Sequence, residues 1–240
     1  MSERWDELNI AGWRICQDTE LFRFGIDAIL LAGFARFKKS DRVVDLCSGS
    51  GIIPFLYLAR GDLERVTAVE YFPRHCELMR KTVERNGTVG LEIVEADVRK
   101  IDEHFRRGTF DVLTVNPPYE KNGHGINCPN DVKNAARREV LCDINDVCRA
   151  AAYLLKTGGM MYMIHRPSRM CDVMNALREN ALEPREVRFV CSHAGDPPTL
   201  MLVSAKKGGS PYLRVQSDLV IYNEDGSYTK ESSKIYDERV

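Results

Sequence analysis

The chain predicts an α/β fold, with a doubly wound, mostly parallel seven-stranded sheet, an antiparallel last strand and small appendages at both ends. Two observations carry that expectation. From Arg42 onward, short strand-like runs alternate with segments whose apolar residues recur at helical spacing, and such alternation demands a parallel sheet with right-handed crossovers. The final two strand-like runs are joined by only a short breaker, so that pair must be antiparallel. At 240 residues the chain fits one globular domain with small additions.

The elements follow in order. Val43-Val44-Asp45-Leu46 reads as a buried strand, followed by a glycine-containing turn and a helix from Ile52 to Arg60. Val66 to Glu70 is the second strand. Pro73 suits the first turn of a helix that carries Cys76, Met79 and Val83 on one face and stops near Asn86-Gly87. Leu91 to Val94 is the third strand and Phe110 to Val115 the fourth. A long polar loop runs from Glu120 to about Arg138. Asp143 caps a helix with Ile144, Val147, Cys148, Ala151 and Leu155 on its apolar face, and Gly158-Gly159 end it. Met160 to His165 is the fifth strand, and Met170, Val173, Met174 and Leu177 mark another helix. Strands near Val187–Cys191 and Leu200–Ala205 flank Ala194-Gly195-Asp196-Pro197-Pro198.

The flanks differ in character. Residues 8–24, with Leu8, Ile10, Trp13, Ile15, Phe22 and Phe24, read as an extended segment leading into a helix from Asp27, a residue whose ordinary role is a helix N-cap. Leu219 to Tyr222, the turn Asn223-Glu224-Asp225-Gly226 and Ser227 to Thr229 read as a hairpin. From Glu231 the tail is charged and expected to be loose. The expected division is 1–36, 37–207 and 208–240.

Composition narrows the function classes. A hydrophobic fraction of 44% suits a globular core, and the longest apolar run, Ala28 to Ala32, is far too short for a membrane span. The polar, acidic opening residues argue against a signal peptide, so the cytoplasm is the expected location. Cys16, Cys47, Cys76, Cys128, Cys142, Cys148, Cys171 and Cys191 include no C-x-x-C pair. No metal site is expected, and reduced core thiols are. A net charge of −1 gives no sign of a strongly basic nucleic-acid binder. Lys133 with Arg137-Arg138, Arg166 with Arg169, and Lys206-Lys207 are ordinary solvated faces unless folding gathers them around one cleft.

Two constellations carry chemistry. Asp45-Leu46-Cys47-Ser48-Gly49-Ser50-Gly51 runs from a strand into a helix, where glycines let the backbone approach a ligand. Glu70 ends the second strand, where a carboxylate can accept both hydroxyl protons of a ribose. Asp97, past the third, can accept from an adenine amino group. Ligands of open α/β sheets bind at these carboxyl ends, so a nucleoside cofactor is expected there. The spacing leaves NAD and S-adenosylmethionine both open.

Asn116-Pro117-Pro118-Tyr119 separates them. The tetrapeptide should occur by chance in on the order of one chain per thousand at average composition, and here it follows the fourth strand directly. Two prolines stiffen the segment and hold two acceptors, the Asn116 side-chain oxygen and the Pro117 carbonyl, beside the Tyr119 ring. An adenine amino group donates its lone pair into the ring and is a poor nucleophile. Acceptors on both its N–H bonds favour pyramidal nitrogen and stabilise the positive charge that develops on it.

In this order, Asp45 to Gly51, Glu70, Asp97 and Asn116 to Tyr119 resemble the class I Rossmann-like amino-methyltransferases that use S-adenosylmethionine. The stretch Phe24 to Ala32 and the tail Leu219 to Tyr222 with Tyr228 resemble one branch, the bacterial tRNA1(Val) adenine-N6 methyltransferases, over about Leu8 to Glu231. The resemblance implies methylation of the adenosine just 3′ of the anticodon. It implies that Asp45, Cys47, Gly49 and Gly51 line the methionine side of the cofactor. Glu70 would hold the ribose and Asp97 the adenine amino group, Tyr71, Val98 and Asn116 would also line the cofactor, and Asn116, Pro117 and Tyr119 would hold the target base. The N-terminal segment, with Phe24 and Asp27, would close over the cofactor.

One departure stands out. Cys47 occupies a position where these enzymes usually have glycine, and a non-glycine residue there is expected to keep φ negative. Its expected role is a small lining residue rather than a nucleophile. Arg166, after the fifth strand, would contact substrate phosphate or pair with a carboxylate. The 120–138 loop, with Lys121, His124, Lys133, Arg137 and Arg138, is expected to be a mobile substrate lid.

Rival readings have discriminating features. Glutamine methyltransferases share the Asn-Pro-Pro-Tyr device, but the roughly forty residues before Arg42 leave little room for their helical N-terminal domain. A DNA adenine enzyme would add a target-recognition region, which is not found. Ribosomal RNA suits the same pocket. A non-catalytic RNA-binding module would transfer no methyl group. An NAD dehydrogenase lacks its catalytic His or Tyr-Lys pair.

Overall fold

The computed structural model describes residues 3–20, 25–119 and 142–237. Its strands are β1 (Glu3–Glu7), β2 (Arg14–Asp18), β3 (Val43–Leu46), β4 (Val66–Glu70), β5 (Leu91–Glu95) and β6 (Phe110–Val115). They continue with β7 (Leu155–His165), β8 (Leu182–Cys191), β9 (Leu200–Lys207), β10 (Arg214–Val215) and β11 (Leu219–Val220). The helices are α1 (Ile26–Phe34), α2 (Ile52–Ala59), α3 (Pro73–Asn86), α4 (Ile144–Leu154), α5 (Met170–Glu179) and α6 (Lys230–Asp237).

Seven strands form the expected sheet, in the order β5-β4-β3-β6-β7-β9-β8. Parallel pairing joins β5 through β7, and β9 runs antiparallel between β7 and β8. Strand residues alternate between two apolar layers. Val43, Ala68 and Val112 face α1, α2 and α3, whereas Val44, Val69 and Leu113 face α4 and α5. Burial on both faces explains the unbroken apolar runs of the central strands. The ends of helices follow local chemistry: Pro73 opens α3, left-handed Gly87 closes it, and Asp143 with Asp146 forms a reciprocal cap on α4.

The flanks depart from expectation. Residues before Asp18 form a two-stranded hairpin, β1 with β2, in place of a single extended segment. Left-handed Asn9, Ala11 and Gly12 close its turn. The hairpin is held on α3 by Arg74, which reaches Glu3 and Asp18, and by the Cys16 N–H donating to the Thr82 hydroxyl at 3.0 Å. Polar β1 gave no apolar alternation by which to read it.

At the other end the expected hairpin forms around the Tyr222–Tyr228 bridge, with the Asn223 N–H donating to the Ser227 carbonyl and the Thr229 N–H to the Ile221 carbonyl, while β10 and β11 extend the sheet alongside β8. The tail expected to be loose is helical, because the Thr229 hydroxyl accepts from the Ser232 N–H as an N-cap and Ile235 packs over Gly33 of α1. Gly158-Gly159 do not end α4, which stops at Leu154. They form a bulge within β7, where the register against β6 shifts and a Cβ on Gly159 would meet the Asp111 carbonyl at 2.9 Å. No described helix is long and apolar enough to cross a membrane.

Candidate active site

At the carboxyl end of β3 the chain turns sharply into α2 through three left-handed residues, Cys47 (φ 56°), Gly49 (φ 55°) and Gly51 (φ 81°). Cys47 therefore does not keep φ negative as expected. The turn is fixed by the Ser48 N–H donating to the Val69 carbonyl and by the Ser48 hydroxyl donating to the Asp45 carbonyl. That over-determination holds a non-glycine residue in a conformation it otherwise avoids. Gly51 is required for space as well, since a Cβ there would meet the Met79 sulfur at 2.8 Å; at Gly49 a Cβ would meet nothing within 4 Å.

Glu70, at the end of β4, is 5% exposed and ties the turn to the neighbouring strand, accepting from the Gly49 N–H and the Phe72 N–H, both at 2.8 Å. Asp97 caps a 3₁₀ turn and grips Arg99, which lowers its pKa. Asp45 is almost fully buried, accepts from the Thr114 hydroxyl at 2.6 Å, and is pushed up to about 7 chiefly by burial.

These groups line one cavity. Asp45, Cys47, Gly49, Glu70, Tyr71, Asp97, Val98 and Asn116 all contribute to it, and Gly51 lies beneath, against Met79. The lining also includes Phe72, His75, Ala96 and Cys142, which sequence reasoning did not assign to the site. Both ring nitrogens of His75 are buried without a hydrogen-bond partner, an unmet polar demand in the cavity wall. A hydrogen bond with Cys142, and then burial, holds the Cys47 thiol well above its usual range and keeps it protonated.

The Asn-Pro-Pro-Tyr segment leaves β6 at the cavity's end, with Asn116 and Pro118 in its wall. The Asn116 amide nitrogen donates to Asp27 Oδ2 at 3.2 Å, and the Tyr119 hydroxyl lies 2.9 Å from the same oxygen and 2.5 Å from Asn116 Oδ1. Asp27 is thus no N-cap; Gly25 holds that place. Its carboxylate orients the Asn116 amide, turning the nitrogen toward α1. Burial, then the Asp27 charge, keeps the Tyr119 phenol protonated, its pKa well above normal.

The Tyr119 ring meets His165 edge-on at 5.2 Å, and the Arg166 guanidinium lies over it at 5.2 Å. Arg166 also donates to the Thr199 carbonyl, so it backs the aromatic ring in place of the expected carboxylate partner. Arg169 holds the Tyr119 carbonyl. Lys206 and Lys207 end β9 at the opposite edge, beside Leu182 and Glu183. Phe24, Lys121, His124, Lys133, Arg137 and Arg138, and with them the expected lid, lie outside the described residues. Among the described residues no cluster of three or more His, Cys, Asp or Glu is placed to hold a metal ion.

An open α/β sheet of this order carries a cavity at its carboxyl ends, and with the family match it makes the chain an S-adenosylmethionine-dependent methyltransferase of class I. The chain belongs to the methyltransferase small domain family, whose model matches residues 26–187. A tRNA1(Val) (adenine(37)-N6)-methyltransferase of Haemophilus influenzae (strain 86-028NP) is 27% identical over 226 residues, 91% of each chain. A solved structure described as a predicted O-methyltransferase, from Agrobacterium tumefaciens, matches with TM-score 0.73 at 23% identity, over 89% of this chain and 97% of its own. The geranyl diphosphate C-methyltransferase of Streptomyces coelicolor A3(2), solved with Mg2+, geranyl diphosphate and S-adenosyl-L-homocysteine, matches with TM-score 0.54 at 13% identity, over 76% and 78%. The three names specify different acceptors, so what the solved structures share with this chain is the fold.

Proposed function

We propose that this chain methylates the exocyclic 6-amino group of an adenine in RNA, in the cytoplasm, and that the RNA is a valine tRNA modified at the adenosine 3′ of the anticodon. The observation that carries the reading is Asn116, held by Asp27 at the end of the cofactor cavity. The relatives named as tRNA adenine-N6 enzymes support the acceptor. S-adenosylmethionine supplies an electrophilic methyl carbon.

The chain's own residues do the rest. Asp45 and the Gly49 turn hold the methionine end, Glu70 and His75 the ribose, and Asp97 with Val98 the adenine. Asn116 Oδ1 has two lone pairs, so it can accept an amino N–H while the Tyr119 hydroxyl turns its single proton to Asp27. With the Pro117 carbonyl it grips both N–H bonds and stabilises charge on the nitrogen. Tyr119, backed by Arg166, stacks on the target base, a contribution of about 1–3 kcal/mol. Lys133, Arg137 and Arg138 are assigned to RNA binding, and the three-part division at 36 and 207 is retained.

The test is transfer of labelled methyl groups to tRNA from cells lacking this protein, followed by mass spectrometry of the nucleosides. 6-Methyladenosine in one valine isoacceptor is expected, with Asn116→Ala lowering kcat by about 10²–10³-fold. Transfer to another nucleoside, or an undiminished Asn116→Ala, refutes the proposal.

A further inference from the structure

A second concave site lies away from the cofactor cavity, on the face of the sheet that α1 covers. Its floor is one cross-strand row: Tyr162 of β7 pairs with Ser204 of β9, Ser204 with Glu186 of β8, and Glu186 with Arg214 of β10. Arg36, just past the end of α1, together with Arg185 and Tyr212 completes a groove of about 290 Å³.

The groove gathers three guanidinium groups, of which Arg185 also donates to the Ser210 carbonyl at 3.0 Å. Arg214 is exposed and has no ion pair or side-chain hydrogen bond among the described residues. Arg36 approaches Glu186 only to 3.7 Å, with its side chain 67% exposed. Arg185 lies over the ring of Tyr212, which is 63% exposed. Ser204 of β9 is 1% exposed and lines the floor of the groove. Three guanidinium groups face one carboxylate, so the groove favours an anion. Guanidinium forks and a hydroxyl match phosphate oxygens, and an exposed aromatic ring beside them matches a nucleotide.

We propose that this groove binds a backbone phosphate of the RNA substrate, with Tyr212 against the adjoining nucleotide; the proposal rests on the RNA reading above. Helix α1 links the two places. Asp27 in its first turn touches Asn116, and Arg36 follows its end. Nine residues at 1.5 Å each span about 13 Å. Side-chain reach puts the groove roughly 15–20 Å from the transfer site, or about five stacked nucleotides at 3.4 Å each. An RNA that surrenders one base to the cavity gains a second, sequence-independent hold there.

The experiment measures binding of a valine tRNA transcript to the full chain at several salt concentrations. Arg185→Ala/Arg214→Ala should raise Kd about tenfold and make the log Kd–log salt slope shallower by about 1. Both cofactor affinity and kcat at saturating tRNA should stay unchanged. The control Arg80→Ala/Arg178→Ala removes as much exposed charge elsewhere and should leave the slope as in wild type. Ser204→Ala, which changes no charge, should raise Kd about threefold with the slope intact. If the groove variants bind like the control, the groove proposal is wrong and the RNA reading stands. A wild-type chain that binds no RNA overturns both.

Discussion

Asp27→Asn tests the cluster that holds the transfer site. The carboxylate accepts from the Asn116 amide at 3.2 Å and from the Tyr119 hydroxyl at 2.9 Å, both through Oδ2, while Oδ1 accepts from the Ala28 N–H. Asparagine keeps the shape and removes the charge. A hydrogen bond to a charged group contributes about 1.5–3 kcal/mol and one between neutral groups about 0.5–1.5, so each of the two bonds weakens by about 1–1.5 kcal/mol. If the whole loss of roughly 2–3 kcal/mol enters the barrier, transfer slows about 30- to 160-fold at 1.36 kcal/mol per decade. The Ala28 N–H would also face an amide NH₂, so some of the loss should appear as a lower Tm. Single-turnover methyl transfer with labelled cofactor reads the effect, and calorimetry should find cofactor affinity within threefold of wild type. A single-turnover rate within threefold of wild type would show that Asn116 holds its orientation without Asp27.

Three further outcomes follow from the same geometry. Asp45 is raised to about 7 by burial, and if it holds the methionine end as proposed it must be ionised to face the cationic ammonium. Affinity should therefore fall about tenfold per unit below pH 7, with uptake of cofactor releasing a proton near pH 6.5. The unliganded fold keeps a proton that the unfolded chain loses, so its own stability should decline as pH rises from about 4 to 7. A Kd indifferent to pH between 5.5 and 7.5 contradicts this assignment. His165 is lowered to about 4, first by burial, and its Nδ1 accepts from the Arg166 N–H. A histidine buried neutral contributes stability above pH 6.5 that is lost as pH falls toward 4, roughly 3 kcal/mol over that window. Urea unfolding of His165→Gln should lack that loss, and curves that run parallel to wild type count against it. Cys47→Gly removes a side chain at φ 56°, where left-handed strain of about 1–2 kcal/mol exceeds the roughly 0.5–1 kcal/mol entropy cost of glycine. Tm should rise by about 2 °C with cofactor binding intact; a fall would mean that the Cys142 contact outweighs the strain.

The central sheet was legible because its signals are local. Buried parallel strands announce themselves as apolar runs, Pro73 and Gly87 mark helix ends by backbone chemistry alone, and the short Ala194 to Pro198 breaker forces β8 and β9 to run opposite ways. The appendages were not legible, because their order comes from distant partners. β1 is polar on nearly every residue and gains its place from Arg74 and Lys81 on α3. Helix α6 carries four charged residues and two serines, and its Ile235 takes a seat over Gly33, two hundred residues back in the chain. The same division runs through the site. The Asp45 to Gly51 turn, Glu70 and Asn116 each sit at a strand end that the sequence marks, whereas His75 and Cys142 reach the cavity from helix faces and loop ends with no motif around them.

Asp27 lies between these extremes. It interrupts the apolar run from Ile26 to Leu31, and α1 is buried along nearly its whole length. Burying a carboxylate without partners costs far more than an N-cap returns, so its place within the helix already required donors on whatever α1 packs against. Here α1 brings Asp27 to the end of β6, and the donors standing there are the Asn116 amide and the Tyr119 hydroxyl. The pairing spans 89 positions and no local pattern encodes it. A buried charge in search of partners, set beside a stiff segment rich in polar groups, was nevertheless a solvable pair. Taken alone, Asp27 looks like a cap; only the Asn116 amide and the Tyr119 hydroxyl give it its other role.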